Sequence, residues 1–306
     1  MSLSVTPSAK MPTALSGEII TSRQNRRVVE LMKLDDRRAR ESAGKFRFDG
    51  LKLLCEAIRR GVSIDSVFLR AGTADRVASR MVELYGCTLD EAKCPVFGVE
   101  DTLFEKISEE NAPEGVITVA KYLDKCHKMI KIYNRDENCR DPHAPLLLLE
   151  SVRDPVNVGA IIRSAAALGV GALILSADCA DIYHPRTVRA AMGTLFALPI
   201  IRVDDLPGSI RALREEGHIV LAAALDDTAL RLGSDDPVFC APAKGLCAVI
   251  GNEGHGLSEN TIRACDCTVY IPMQADTESL NAGVAAALIM WELGRTARRV
   301  PPSETL

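Results

Sequence analysis

Leu246-Cys-Ala-Val-Ile250 runs directly into Gly251-Asn-Glu253-Gly-His-Gly256-Leu257, a short unbroken apolar run followed by a glycine-rich turn. An apolar run without polar alternation is the pattern of a strand buried on both faces, and the carboxyl end of such a strand is where open α/β sheets bind ligands. Similar runs occur at Leu146-Leu-Leu-Leu149, Ala172-Leu-Ile-Leu175, Ile219-Val-Leu-Ala-Ala-Ala224 and Thr268-Val-Tyr-Ile271. Helix-like stretches separate them, notably Ala160 to Leu168 and Ile210 to Glu216, and a final one runs from Leu280 to Arg295. Strands and helices in alternation predict an α/β fold with a mainly parallel, doubly wound sheet over residues 145–300.

Upstream, Gln24 to Arg40 reads as one amphipathic helix, with Val28, Leu31, Met32 and Leu34 set among arginines. Strand-like Phe46-Arg-Phe48, Val67-Phe-Leu69, Val96-Phe-Gly98 and Gly115-Val-Ile-Thr-Val119 alternate with helix-like Leu51 to Arg60 and Ala74 to Leu84. This predicts a smaller α/β domain over residues 17–120. The polar stretch 121–144, closed by Pro142 and Pro145, reads as a linker, and residues 1–16 as loose or left over from expression.

The 306 residues are long enough for two such cores. No run of about 18 apolar residues and no export pattern is present, so neither membrane nor secretion is expected and the cytoplasm is. Ten scattered cysteines without a disulfide spacing agree with a reducing compartment. Cys126, His127, Cys139 and His143 fit no zinc spacing, so no metal is expected. The net charge of -4 hides an asymmetry: residues 1–70 hold 14 Lys+Arg against 8 Asp+Glu, leaving 23 against 33 elsewhere. Arg23, Arg26, Arg27, Arg37 and Arg38 belong to that basic segment, as a phosphate-binding surface requires, although a solvated helix face accounts equally well for any one of them.

Three blocks carry chemistry. The turn Gly251 to Leu257 lets backbone approach a ligand, but it lacks the lysine of a phosphate loop and Glu253 would repel phosphate, so a ligand with positive charge suits it better. In Ile271-Pro-Met273 followed by Ser279-Leu280-Asn281, Ser279 is a candidate N-cap of the last helix and Asn281 a residue of its first turn; the alternatives are a plain cap or two side chains aimed into a site. In Asn157-Val-Gly159-Ala-Ile-Ile-Arg163, an arginine among core-like neighbours needs an anion. A phosphate, or a structural salt bridge to Glu253 or Glu150, would serve.

As an ordered set, these three blocks resemble the SpoU/TrmH branch of the SPOUT RNA methyltransferases over about residues 145–297. Thr21-Ser-Arg-Gln-Asn25, Phe46-Arg-Phe-Asp-Gly50 and Gly115-Val-Ile are similar to the substrate-binding domain of its ribosomal RNA members, with Asp49 where the family more often has Glu. The resemblance implies a deep trefoil knot in the C-terminal SPOUT domain, a homodimer, S-adenosylmethionine as cofactor, and methylation of a ribose 2'-hydroxyl in RNA, ribosomal RNA above all. It carries cofactor binding to Gly251, Ile271 and Leu280, and the family's polar site pattern to Asn157, Arg163, Glu253, Ser279 and Asn281. Ala282 and Gly283 replace residues of the family's usual Ser-Leu-Asn-Val-Ser-Val-Ala, which leaves no second serine there. Arg163 matches the family's proposed catalytic residue; because a guanidinium stays protonated, its expected part is to anchor phosphate and stabilise alkoxide character. Transfer RNA as substrate, an RNA-binding protein without catalysis, a small-molecule methyltransferase and a nicotinamide-dependent dehydrogenase are the alternatives, the last disfavoured by the missing GxGxxG.

Overall fold

A computed structural model describes residues 15, 17–110, 112–123, 144–239, 245–274 and 279–299, the side chains of 296–299 excepted. Cys126, His127, Cys139 and His143, and nearly all of the leading segment 1–16, lie outside these residues. The chain divides into two compact units, Met1–Tyr122 and Leu123–Leu306.

In the first unit, β1 (Lys45–Asp49), β2 (Ile64–Arg70), β3 (Val96–Val99) and β4 (Val116–Lys121) form a sheet of order β1-β4-β2-β3. β4 is antiparallel to both of its neighbours, whereas β2 and β3 run parallel. The helices are α1 (Arg26–Lys33), α2 (Arg37–Ala43), α3 (Leu51–Arg59), α4 (Ala74–Tyr85) and α5 (Asp101–Ile107). Val28 and Leu31 of α1, Phe68 and Ile117 of the sheet, and Leu103, Phe104 and Ile107 of α5 share one core.

The single helix expected over Gln24 to Arg40 is instead two. Asp36 is extended and accepts a hydrogen bond from Ala39 N at 3.0 Å, which starts α2. Arg40 is 1% exposed and donates from Nη1 to the carbonyls of Leu34 and Asp35 at 2.7 and 2.9 Å. A buried guanidinium that satisfies the carbonyls leaving α1 stabilises the break more than continued helix would. A second buried arginine, Arg47, donates to the carbonyl of Ile107 at the end of α5.

The second unit carries a sheet of seven parallel-paired strands: β5 (Leu146–Leu149), β6 (Ala172–Ser176), β7 (Ile200–Val203), β8 (Ile219–Ala223), β9 (Leu230–Arg231), β10 (Leu246–Ile250) and β11 (Cys267–Tyr270). Their order is β7-β6-β5-β10-β8-β11-β9, and all six pairings are parallel. Every residue of β5, β6 and β10 is buried, as a strand covered on both faces requires. The helices are α6 (Pro155–Ala167), α7 (Pro185–Ala191), α8 (Leu206–Glu215), α9 (Glu259–Ala264) and α10 (Ala282–Arg299). Asp154 caps α6 with Pro155 at its first position.

The cysteines among the described residues are free thiols. Burial pushes that of Cys265 up to about 12. No described helix is long and apolar enough to cross a membrane.

Candidate active site

β8, β10 and β11 are neighbours, and the chain leaving their carboxyl ends surrounds a cleft of about 270 Å³. Its wall includes Leu225 after β8, Gly251, Asn252, Glu253 and Gly256 after β10, and Tyr270, Ile271 and Met273 at the end of β11. Ser279 and Leu280 close it on the side of α10. All three residues expected at the cofactor, Gly251, Ile271 and Leu280, therefore line one cavity, together with Glu253 and Ser279. The lining is largely apolar with one carboxylate, which fits a flat heteroaromatic ligand that also bears a positive charge. Gly251 is required by close approach: a Cβ there would collide with the backbone of Gly256 and of Leu257. The turn closes on itself through Asn252 N to Gly256 O at 3.1 Å and Gly256 N to Asn252 O at 2.9 Å.

The three blocks meet through side chains. Asn157 Nδ2 donates to Glu253 Oε1 at 2.6 Å, and Asn281 Nδ2 donates to Asn157 Oδ1 at 2.9 Å. Asn281 Oδ1 in turn accepts from Gly283 N and Val284 N at 2.9 and 3.3 Å. Each amide uses its donor and its acceptor, so the relay fixes which way both asparagines face. Asn157 lies in the first turn of α6, and the partial positive charge of two helix N-termini thus gathers beside the Glu253 carboxylate.

Two expectations are corrected. Ser279 does not cap the last helix: α10 begins at Ala282, and Asn281 takes the capping position with the two backbone N–H bonds just described. Nor is Arg163 buried. The buried face of α6 comprises Val158, Gly159, Ile161, Ile162 and Ala165, and Arg163 falls just past the edge of that arc and is exposed. The anions considered for it are engaged elsewhere. Glu253 accepts from Asn157, and Glu150 accepts from Ser258 N at 2.9 Å and from the hydroxyls of Ser258 and Thr261, each at 2.7 Å. Among the described residues Arg163 has no hydrogen-bond or ion-pair partner.

Gly159 has a packing role. A Cβ there would lie 2.5 Å from Thr187 O and 2.6 Å from the Ala190 Cβ, so α6 and α7 touch at this point. α6 also packs on α10, and a groove between them is lined by Ala160, Ser164, Leu168, Val284, Leu288 and Trp291. Val156, Val284, Leu288 and Trp291 are 48, 50, 43 and 54% exposed, a run of large apolar side chains that a single chain leaves in water.

In the first unit Arg23, Arg26, Arg27, Arg37 and Arg38 are all exposed. Arg26 and Arg37 pair with Glu30 and Glu41 one turn on, both at 2.8 Å, and the Arg27 guanidinium stacks 3.9 Å over the Phe97 ring. Asp49 accepts from Ser108 Oγ and Glu109 N. Sequence reasoning passed over Ser151 and Asp178, read Glu150 only as a possible partner of Arg163 and Asn252 only as part of its block; Glu150, Asn252 and Ser151, the last bonded to Asp178, hold the Gly251–Leu257 turn.

Comparison with known proteins bears on this geometry. Residues 144–291 match the SpoU rRNA Methylase family, and residues 25–118 match an MRM3-like substrate binding domain. A 23S rRNA (uridine(2479)-2'-O)-methyltransferase of Streptomyces viridochromogenes is 31% identical over 288 residues, covering 91% of this chain and 94% of that one. The 23S rRNA (guanosine(2553)-2'-O)-methyltransferase RlmP of Bacillus subtilis (strain 168) is 27% identical over 275 residues, covering 90% and 98%. Among solved structures, the SpoU methyltransferase AviRb from Streptomyces viridochromogenes in complex with AdoMet superposes with a TM-score of 0.73 at 27% identity, covering 90% and 99%.

Proposed function

Because this chain belongs to the SpoU rRNA methylase family, we propose that it transfers a methyl group from S-adenosylmethionine to a ribose 2'-hydroxyl of 23S-type ribosomal RNA. The observation that carries the reading is the Glu253–Asn157–Asn281 relay, which draws the three blocks together at the mouth of the cleft.

Gly251, Ile271 and Leu280 would hold S-adenosylmethionine through backbone groups and apolar contact, and Glu253 suits its positive charge. The cofactor supplies an electrophilic methyl group on a sulfonium. What the chain must do is place a ribose hydroxyl in line and help its proton leave. Asn157 and Asn281 hold the Glu253 carboxylate in one orientation. Arg163, exposed and without a described partner, anchors the phosphate next to the acceptor ribose and stabilises alkoxide character, with phosphate oxygen or water taking the proton. Ser279 lines the cleft.

Residues 17–120 are the RNA-binding domain in this reading. Their support is the exposed Arg23, Arg26, Arg27, Arg37 and Arg38, of which Arg23 and Arg38 make no hydrogen bond or ion pair among the described residues. Residues 145–300 are the catalytic domain. A second copy of the chain covers the apolar groove between α6 and α10, which makes the protein a homodimer and places Arg163 beside the interface. The trefoil knot belongs to the same reading, supported by β10 lying between β5 and β8 while the chain after β10 and after β11 walls one cleft. Such an enzyme works in the cytoplasm, where its RNA is.

The test is transfer of labelled methyl from S-adenosylmethionine to total RNA from a host lacking the protein, with ribose-methylated positions mapped. Label in one ribosomal nucleotide that disappears with Arg163→Ala, while cofactor affinity stays nearly intact, is the expected result. Label in transfer RNA would overturn the substrate, and loss of cofactor binding in Arg163→Ala would overturn the division of roles.

A further inference from the structure

Ser151 has a left-handed backbone, φ 56, which a non-glycine residue adopts at a cost of about 1 kcal/mol. Two neighbours hold it there. Ser151 N donates to Ser176 Oγ at 2.9 Å, and Ser151 Oγ donates to Asp178 Oδ2 at 2.5 Å. Ser176 Oγ donates to the other oxygen, Asp178 Oδ1, at 2.6 Å, so one carboxylate at the end of β6 takes both hydroxyls. In this conformation the carbonyl of Ser151 accepts from Asn252 Nδ2 at 2.8 Å. Asn252 Oδ1 then accepts from Gly254 N at 2.8 Å and from His255 N at 3.3 Å, inside the turn whose residues Gly251, Asn252, Glu253 and Gly256 wall the cleft. The far end of the same turn is gripped by Glu150, through Ser258 N and Ser258 Oγ. Two consecutive residues after β5 therefore fasten both ends of the turn.

We infer that Asp178 is a positioning residue for the cofactor turn, acting through Ser151 and Asn252 and touching neither the turn nor the cleft. The inference rests on the reading of the cleft as the S-adenosylmethionine site. Without the Asp178 carboxylate nothing holds the Ser151 hydroxyl, the backbone relaxes toward negative φ, and its carbonyl withdraws from Asn252. The turn then loses the near-end bond that ties it to the chain after β5, although Glu150 still grips its far end and its internal bonds survive. Asp178 lies outside all three blocks; besides the two hydroxyls, its side-chain partner among the described residues is the exposed Arg153 at 3.4 Å, which does not line the cleft.

Three variants of the full chain test this. Asp178→Ala removes the carboxylate. Ser151→Ala removes only the hydroxyl and keeps the cost of φ 56, so it remains informative if Asp178→Ala fails to fold. Asn252→Asp keeps the acceptor for Gly254 and His255 and removes the donor to Ser151. S-adenosylmethionine is titrated calorimetrically, urea unfolding reports global stability, and amide exchange at Gly254 and His255 is followed in the unliganded chain. Each single variant is expected to bind about tenfold more weakly, the loss of one buried-end hydrogen bond. Asp178→Ala combined with Asn252→Asp should bind no more weakly than Asn252→Asp alone. Exchange at the two amides should quicken in Asp178→Ala beyond any change in global stability. Wild-type affinity in Asp178→Ala, additive losses in the double variant, or unchanged exchange would each overturn the inference. If the wild-type chain takes up no S-adenosylmethionine, the reading of the cleft fails, and the exchange measurement alone still decides the relay.

Discussion

Replacing Asn157 by Asp changes one donor into an acceptor at nearly constant shape, at the centre of the relay. Its Nδ2 now donates to Glu253 Oε1 at 2.6 Å, and its Oδ1 accepts from Asn281. The aspartate keeps the second bond and sets an oxygen bearing negative charge against the Glu253 carboxylate. At that separation two unit charges repel by about 1.6 kcal/mol in a water-like dielectric and about 6 kcal/mol at an effective dielectric of 20. Glu253 is exposed and Asn157 half-buried, so the lower figure is the nearer one. The lost hydrogen bond to a charged acceptor adds about 1.5 kcal/mol or more, for a total near 3 kcal/mol, roughly a hundredfold in cofactor affinity if the cleft feels all of it. Asn157→Ala loses only the hydrogen bond. The two variants differ in sign with pH: the repulsion exists while both carboxylates are ionised and is relieved as pH falls and the pair takes up a proton. Asn157→Asp should therefore regain several-fold in affinity relative to Asn157→Ala between pH 7 and pH 4.5, measured by titration of S-adenosylmethionine. The ratio cancels ionisation of the ligand. Parallel curves for the two variants, or wild-type affinity of Asn157→Asp at pH 7, would refute the relay as described.

Gly159→Ala should destabilise the chain by about 1–2 kcal/mol in urea unfolding, because overpacking against Thr187 O and Ala190 Cβ outweighs the helical preference of alanine; a neutral or stabilising result would remove the tight α6–α7 contact. For Asp178, burial opposes ionisation but the hydroxyls of Ser151 and Ser176 and the Arg153 guanidinium outweigh it, so its carboxyl is held below the ordinary range. A depressed carboxyl contributes stability above its unfolded pKa of about 3.9 and loses it as pH falls through the folded value. The stability gap between wild type and Asp178→Asn should accordingly be constant above about pH 5 and shrink below about pH 4; a gap that persists undiminished at the acid end would show that the carboxylate charge is not what matters.

The sheet of the second unit was legible because its strands are buried on both faces and so read as unbroken apolar runs, of which Leu146–Leu149 is the plainest. β7 and β9 were not, since Ile200–Val203 is short and has an arginine at its third position, and β9 is a two-residue edge. The break between α1 and α2 escaped the periodicity because it depends on Arg40, whose burial no local pattern reveals. In the site, the blocks could be read as glycine-rich or polar turns at strand ends, and the cleft gathers Gly251, Ile271 and Leu280 from three separate stretches. What the sequence could not express was mutual geometry. Asn281 rather than Ser279 caps α10, and Glu150 is spent on Ser258 and Thr261. Asp178 and Ser151 have no local signature, because their importance comes from one left-handed residue and a bond to Asn252 about a hundred positions away.

The placement of β10 beside β5 has a consequence for synthesis. Leu149 pairs with Ile250, so β5 waits for about a hundred further residues before its second neighbour, the central strand β10, exists. β6 and β7 can join β5 as they emerge, and the first unit, complete by Tyr122, can already be folded. The half-sheet β5–β6–β7 meanwhile exposes the open edge of β5, all of whose side chains are apolar, to every other nascent chain nearby. The cleft comes last, since its walls include Leu280, Ala282 and Ile289. A ribosome stalled before α10 would thus release a chain whose first unit is finished and whose second is both inactive and prone to aggregate, and such fragments should be early substrates for chaperones and proteases.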